Sequence, residues 1–75
     1  MHIDLDIDLK GLNCPLPILR TKKALADMSS GQTLQVWATD PGTPTDFAQF
    51  CRQTGHQLLL SEQVDGAFHF VLQRK

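Results

Sequence analysis

The sequence is poor in the residues and patterns that most functional sites require. Its 75 residues include no tyrosine, one tryptophan and two cysteines, and no apolar run approaches the length of a membrane span. A net charge of -1 provides no concentrated basic surface for direct contact with nucleic acid. No Cys-x-x-Cys pair supplies a dithiol, and no glycine-rich loop of the kind that cradles phosphates precedes a helix. Because so short a chain buries only about 60% of its unfolded surface, its chemistry must take place at the surface.

Metal-ligand patterns are also missing. His2, His56 and His69 are isolated, with no cysteine or carboxylate at ligand spacing. Three aspartates alternate with apolar residues between Ile3 and Leu9, and we interpret them as solvated carboxylates on the wet face of a strand. The sequence therefore predicts neither a metal site nor a cofactor.

The two cysteines carry no sign of a disulfide framework. Without an export signal pattern, a structural disulfide is not expected, and the default is a cytoplasmic protein that does not contact membranes. The length predicts one domain over residues 1–75, and we expect a monomer.

Hydrophobic periodicity predicts the element order strand, helix, strand, helix, strand, strand. The predicted strands are 3–9, 33–39, 56–63 and 67–74, and the predicted helices are 15–28 and 44–53, the second capped by Thr43. Since each crossover must be right-handed, the simplest arrangement is an α/β (α+β) two-layer sandwich with both helices on one face of a four-stranded sheet.

The turn between the last two predicted strands determines which side chains share a face. A two-residue Asp65–Gly66 turn would place polar residues of one strand opposite the phenylalanines of the other. A three-residue Val64–Gly66 turn, with its glycine left-handed in a bulge, instead aligns Leu58 and Leu60 with those phenylalanines. The second arrangement makes one apolar face, so it is the one we predict.

Cys14 is the candidate reactive residue. It directly precedes Pro15 and Pro17, which are tolerated in the first turn of a helix but not in its interior. The pattern predicts that Cys14 caps helix 15–28, where unpaired amides and the helix dipole favour a thiolate. Cys51 falls on the apolar stripe of the second helix, and we interpret it as an inert core residue.

A predicted docking patch adjoins Cys14. Helical projection places Leu16, Leu19, Arg20 and Lys23 on the solvent side of the first helix. Two exposed leucines flanked by cations beside a nucleophile favour contact with a partner protein. No general base accompanies the thiol, as hydrolysis would require, whereas a thiol carrier needs none. A non-catalytic interaction module, with Cys14 only as a helix cap, remains the alternative.

The residues around Cys14 resemble a known family. The pattern Leu-x-Gly-Leu-x-Cys-Pro-x-Pro-x-Leu-x-x-x-Lys, within Asp8–Lys23, resembles the TusA/SirA-like family of small sulfur-carrier proteins. Ala38–Gly42, Thr54–His56 and the Phe68-x-Phe motif recur in the family's order, so the resemblance covers essentially the whole chain. It implies a mixed sheet of order 1-2-4-3, with the fourth strand antiparallel to the rest.

The resemblance also implies a function. Family members are sulfurtransferases that accept persulfide sulfur on the cysteine of Cys-Pro-x-Pro, which is Cys14 here. The donor would be a cysteine desulfurase or a rhodanese, and a downstream protein would accept the sulfur. The routes served in the family include 2-thiolation of the tRNA wobble uridine and the trafficking of sulfane sulfur.

Overall fold

The predicted alternation of strands and helices is present in the computed structural model, which describes residues 1–75. The elements are β1 (Leu5–Leu9), α1 (Leu16–Ala26), β2 (Thr33–Ala38), α2 (Thr43–Thr54), β3 (Gln57–Val64) and β4 (Ala67–Gln73). The order agrees with the prediction, and most boundaries differ from it by one or two residues. Neither helix has the length and hydrophobicity that crossing a membrane requires.

The four strands form one mixed sheet in the order β1-β2-β4-β3. β1 and β2 are parallel, whereas β4 runs antiparallel to both of its neighbours, β2 and β3. This strand order and the single antiparallel strand confirm what the family resemblance implied.

Both helices pack on the same face of the sheet, and the core lies between the two layers. Alternate residues of β1, β2 and β4 point toward the helices, as the period-two pattern predicts. The buried cluster consists of Leu9, Leu25, Leu34, Val36, Ala38, Phe47, Phe50, Cys51, Phe70 and Leu72. At its centre the rings of Phe47 on α2 and Phe70 on β4 lie 4.6 Å apart. Full burial of such a side chain contributes about 1.5–3 kcal/mol, so this contact is a main link between the layers.

The predicted three-residue turn between β3 and β4 is wrong. Asp65 and Gly66 form a two-residue turn with φ of +50° and +81°, and Val64 pairs directly with Ala67. Two successive left-handed residues are typical of the type I′ turn, whose twist matches that of the flanking strands. Local turn chemistry therefore decides how this hairpin begins.

A β-bulge near the start of β3, away from the turn, restores part of the predicted alignment. Leu58 lies opposite Leu72 and Leu60 lies opposite Val71, which leaves Leu59 without a partner on β4. The extra residue shifts the register by one. Leu58 consequently lies on the core face as predicted, whereas Leu60 lies on the face that no helix covers.

The helix-free face of the sheet carries one ordered cluster. The ring of His69 stacks on that of Trp37 with centroids 4.2 Å apart. Its Nδ1 lies 3.0 Å from Oε1 of Glu62, and its Nε2 lies 2.8 Å from Oε1 of Gln35. These contacts link β2, β4 and β3. The indole of Trp37 on β2 therefore covers the neighbouring strand β4.

Candidate functional site

The loop that carries Cys14 is held against the end of β2. The amide of Leu12 donates to the carbonyl of Leu9 at 3.2 Å, which turns the chain at the end of β1. The amide of Gly11 donates to Oγ1 of Thr39 at 2.9 Å. These bonds fix the chain just before Cys14, which lies beyond the ends of the parallel strands.

Cys14 does not cap the helix, contrary to the prediction. α1 begins at Leu16, Pro15 occupies the cap position, and no side chain caps the helix. The Cys14–Pro15 peptide bond is cis. The amide of Leu16 donates to the carbonyl of Asn13 at 2.9 Å, so a local turn takes up one of the amides expected to face the thiol. The alternative function, in which Cys14 serves only as a helix cap, thereby loses its structural premise.

The two cysteines differ in environment. Cys14 is an exposed free thiol, whereas Cys51 is a free thiol that is only 6% exposed. Burial raises the pKa of the Cys51 thiol because the charged form loses contact with water. Its assignment as a core residue is confirmed.

Cys14 opens onto a shallow groove between α1 and α2. The groove has a volume of about 240 Å³. Its lining residues are Cys14, Ile18, Lys22, Asp46, Gln49, Phe50 and Gln53. The α2 residues and Lys22 were not among the predicted site residues. The spacing of four between Cys14, Ile18 and Lys22 is the sequence signal that could have indicated one shared face.

The four residues of the predicted docking patch are all exposed, but none of them lines the groove of Cys14. Leu16 is 41% exposed and Leu19 is 50% exposed, as their place in the helical projection predicts. Arg20 and Lys23 line a different groove, between α1 and β1. The cation on the groove of Cys14 is therefore Lys22.

Residues 5–74 match the sequence model of the family described as sulfurtransferase TusA. The chain belongs to the TusA family. Within it, the chain is 55% identical over 71 residues to the sulfur carrier protein TusA of Allochromatium vinosum, a match covering 95% of this chain and 93% of that protein. It is 36% identical over 72 residues to TusA of Pseudomonas entomophila, covering 96% and 90% of the two chains.

A solved structure supports the TusA-family fold. The crystal structure of the SirA-like protein from Desulfitobacterium hafniense superposes with a TM-score of 0.80 at 26% identity. The match covers 92% of this chain and 95% of that one. The arrangement of sheet and helices therefore belongs to a fold with an experimentally determined relative.

The site of this TusA-family chain suits one kind of chemistry. It presents an exposed thiol on an open groove, with one ammonium group and one carboxylate among the lining side chains. A thiolate in such a place can displace another thiolate from a sulfur atom, the reaction that underlies thiol–disulfide exchange. Access and thiolate character set the rate of that reaction, so an exposed cysteine is favoured over a buried one.

Proposed function

We propose that this protein is a sulfur carrier that accepts persulfide sulfur on Cys14 and passes it to an acceptor protein. The observation that carries the proposal is that Cys14 is the exposed one of two thiols and opens onto a groove. Membership of the sulfurtransferase TusA family supports the same function. The protein would act with partners and needs no cofactor of its own for this exchange.

The proposed step is a displacement at sulfur without net oxidation or reduction. The Cys14 thiolate attacks the outer sulfur of a donor persulfide, and a new sulfur–sulfur bond forms. The bond between the two donor sulfurs breaks, and the donor leaves as a thiolate. The outer sulfur keeps its proton, so the product is a persulfide on Cys14. Transfer to the acceptor repeats the reaction with the roles exchanged.

The open groove favours transfer between proteins. A protein donor, either a cysteine desulfurase or a rhodanese, must bring its persulfide to Cys14, and a shallow site permits that approach. We propose that the exposed Leu16 and Leu19, with Arg20 and Lys23 beside them, contact the donor. The same transfer step would serve tRNA thiolation or sulfane-sulfur trafficking, with no direct contact to nucleic acid.

Loading by a desulfurase tests the function. Incubated with a cysteine desulfurase, its cofactor and free cysteine, the protein should gain the mass of one sulfur atom, and a reductant should remove it. Peptide mapping should place the added sulfur on Cys14, because that thiol alone is accessible.

Two variants serve as controls for loading. Cys14→Ser should not load, and Cys51→Ala should load like the wild type. Equal sulfur on both cysteines would instead indicate non-specific persulfidation and contradict the proposal. If neither a desulfurase nor a rhodanese loads Cys14 while donor binding persists, an interaction module becomes the better description.

The docking surface has a matched control on the other side of the molecule. Leu16 and Leu59 are both 41% exposed, but Leu59 lies on the bulge of β3. Leu16→Ser should slow loading by about tenfold, the effect of losing a contact worth over 1 kcal/mol at an interface. Leu59→Ser should leave the loading rate unchanged. Equal rates for the two variants, measured by mass spectrometry, would show that α1 is not the docking surface.

A further inference from the structure

We propose that Lys22 is a positioning residue that holds the terminal sulfur of a Cys14 persulfide, as an anion, in the groove between α1 and α2. This inference rests on the proposed carrier function, which itself requires only an accessible thiol. It assigns a role to a side chain that helical projection alone did not connect with Cys14.

The position of the Lys22 side chain supports this role. Its Nζ lies 5.8 Å from the centroid of the Phe50 ring, so the chain extends from α1 across to α2. The contact of a cation with an aromatic face holds the ammonium group beside Phe50. Lys22 and Phe50 both line the groove of Cys14, and they also line the neighbouring groove that contains His56 and Arg74. Lys22 takes part in none of the ion pairs of the structure, so its charge remains available to an anion in the groove.

The groove also fits the chemistry of the cargo. A persulfide places its terminal sulfur about 2.05 Å beyond the sulfur of Cys14. Ile18 and Phe50 form apolar walls, which strengthen electrostatic interactions by excluding water from one side. Lys22 on α1 favours a negative terminal sulfur, whereas Asp46 on α2 opposes it. These two are the charged side chains that line the groove.

The neighbouring cations serve as internal controls. Arg20 and Lys23 line the groove between α1 and β1, together with Asp8 and Asp27. Lys23 is adjacent to Lys22 in sequence and is also exposed, but it lines the groove between α1 and β1 instead of the groove of Cys14. Removing one positive charge at Lys22 or at Lys23 alters the net charge equally. Any difference between the two variants therefore reflects the position of the charge.

The test uses a persulfide made without a protein donor. In the full chain carrying Cys51→Ala, polysulfide ion supplies one sulfur: the Cys14 thiolate attacks a polysulfide sulfur, and a polysulfide shorter by one atom leaves. Iodoacetamide, an uncharged reagent, then alkylates the terminal sulfur, forming a carbon–sulfur bond and releasing iodide. The alkylation rate as a function of pH reports the ionised fraction of the persulfide, and mass spectrometry separates it from unloaded thiol.

We expect Lys22→Gln to move the midpoint of this pH profile upward by about half a unit, the size expected for one charge several ångströms away in a wet environment. Lys23→Gln should leave the midpoint unchanged, and Lys22→Arg should restore it. Asp46→Asn should move it downward. Raising the salt concentration should shrink both shifts, because exposed charges are screened. Unchanged unfolding midpoints would establish that the variants remain folded.

Equal shifts for Lys22→Gln and Lys23→Gln would overturn the inference, since only net charge would then matter. An unchanged midpoint for Lys22→Gln would also overturn the inference. Failure of the carrier proposal would give a different result. Cys14 would load from polysulfide, and Lys22→Gln would move the midpoint of the pH profile, but Cys14 would accept no sulfur from a protein donor. A Cys14 that took no sulfur even from polysulfide would overturn both.

Discussion

Cys14 and Cys51 are chemically identical side chains whose surroundings give them opposite properties. Cys14 lies in the turn before α1, where it is exposed, and Cys51 lies inside α2, where it is 6% exposed. Phe50, on the same helix, belongs both to the groove of Cys14 and to the core that encloses Cys51. Phe50 therefore links the groove of the exposed thiol with the core that encloses the buried one.

The difference originates in local sequence. Pro15 and Pro17 lack amide hydrogens, so the helix can begin only after Cys14, and the thiol stays in the loop. Cys51 follows Phe47 by four residues on α2, which places both on the stripe that faces the sheet. Backbone restriction exposes the first cysteine, and helical periodicity buries the second.

The largest expected effect is on thiol modification. In the native protein, Cys14 should react with iodoacetamide at least about 100-fold faster than Cys51, because Cys51 must wait for an opening that costs about 3 kcal/mol. Peptide mapping of the labelled sites over time measures both rates. In concentrated urea the two rates should converge. Comparable rates in the native protein would mean that α2 does not protect its cysteine.

A smaller difference is expected in stability. Cys51→Ser should lower the free energy of unfolding by about 1–3 kcal/mol, because it buries a hydroxyl group among apolar side chains that offer it no hydrogen bond. Cys14→Ser should change it by less than about 0.5 kcal/mol, as is usual for an exposed position. Urea titration monitored by circular dichroism gives both values. A large loss for Cys14→Ser would reveal a structural role for that thiol.

The smallest expected effect concerns pH. Burial raises the pKa of the Cys51 thiol, so the unfolded chain ionises first as the pH rises past about 8.5. The stabilisation from the protonated thiol is complete below that pH and is lost as the pH rises toward the folded pKa. The wild type should therefore lose more stability than Cys51→Ala between about pH 7 and pH 10. Parallel urea midpoints would contradict the burial effect.

Element order and core could be predicted because they follow from the spacing of apolar residues. The hairpin was predicted wrongly because Leu58, Leu59 and Leu60 form a continuous apolar run, whose spacing fits either face of a strand. A three-residue turn is one way to align the leucines with the phenylalanines of β4. The structure keeps the two-residue turn and accommodates the extra residue at the bulge instead. The order of strands in the sheet came from the family resemblance and could not be derived from periodicity.

The candidate site was predictable to a similar extent. Prolines after a cysteine identified Cys14, and projection of one helix correctly separated exposed residues from buried ones. Projection does not show which element packs beside each flank of the helix. Arg20 and Lys23 were therefore grouped with Cys14, although α2 forms the groove wall and Lys22 faces it. That distinction requires the tertiary structure.

The bulge at Leu59 also bears on solubility. β3 is an edge strand, and a regular edge carrying three consecutive leucines would offer its unpaired backbone groups as a template for aggregation. The bulge interrupts the regular spacing of those groups and increases the local twist of the strand. A second β3 could then pair along only part of this edge. We therefore expect the residue that shifts the register of the hairpin to disfavour edge-to-edge pairing between molecules at high concentration.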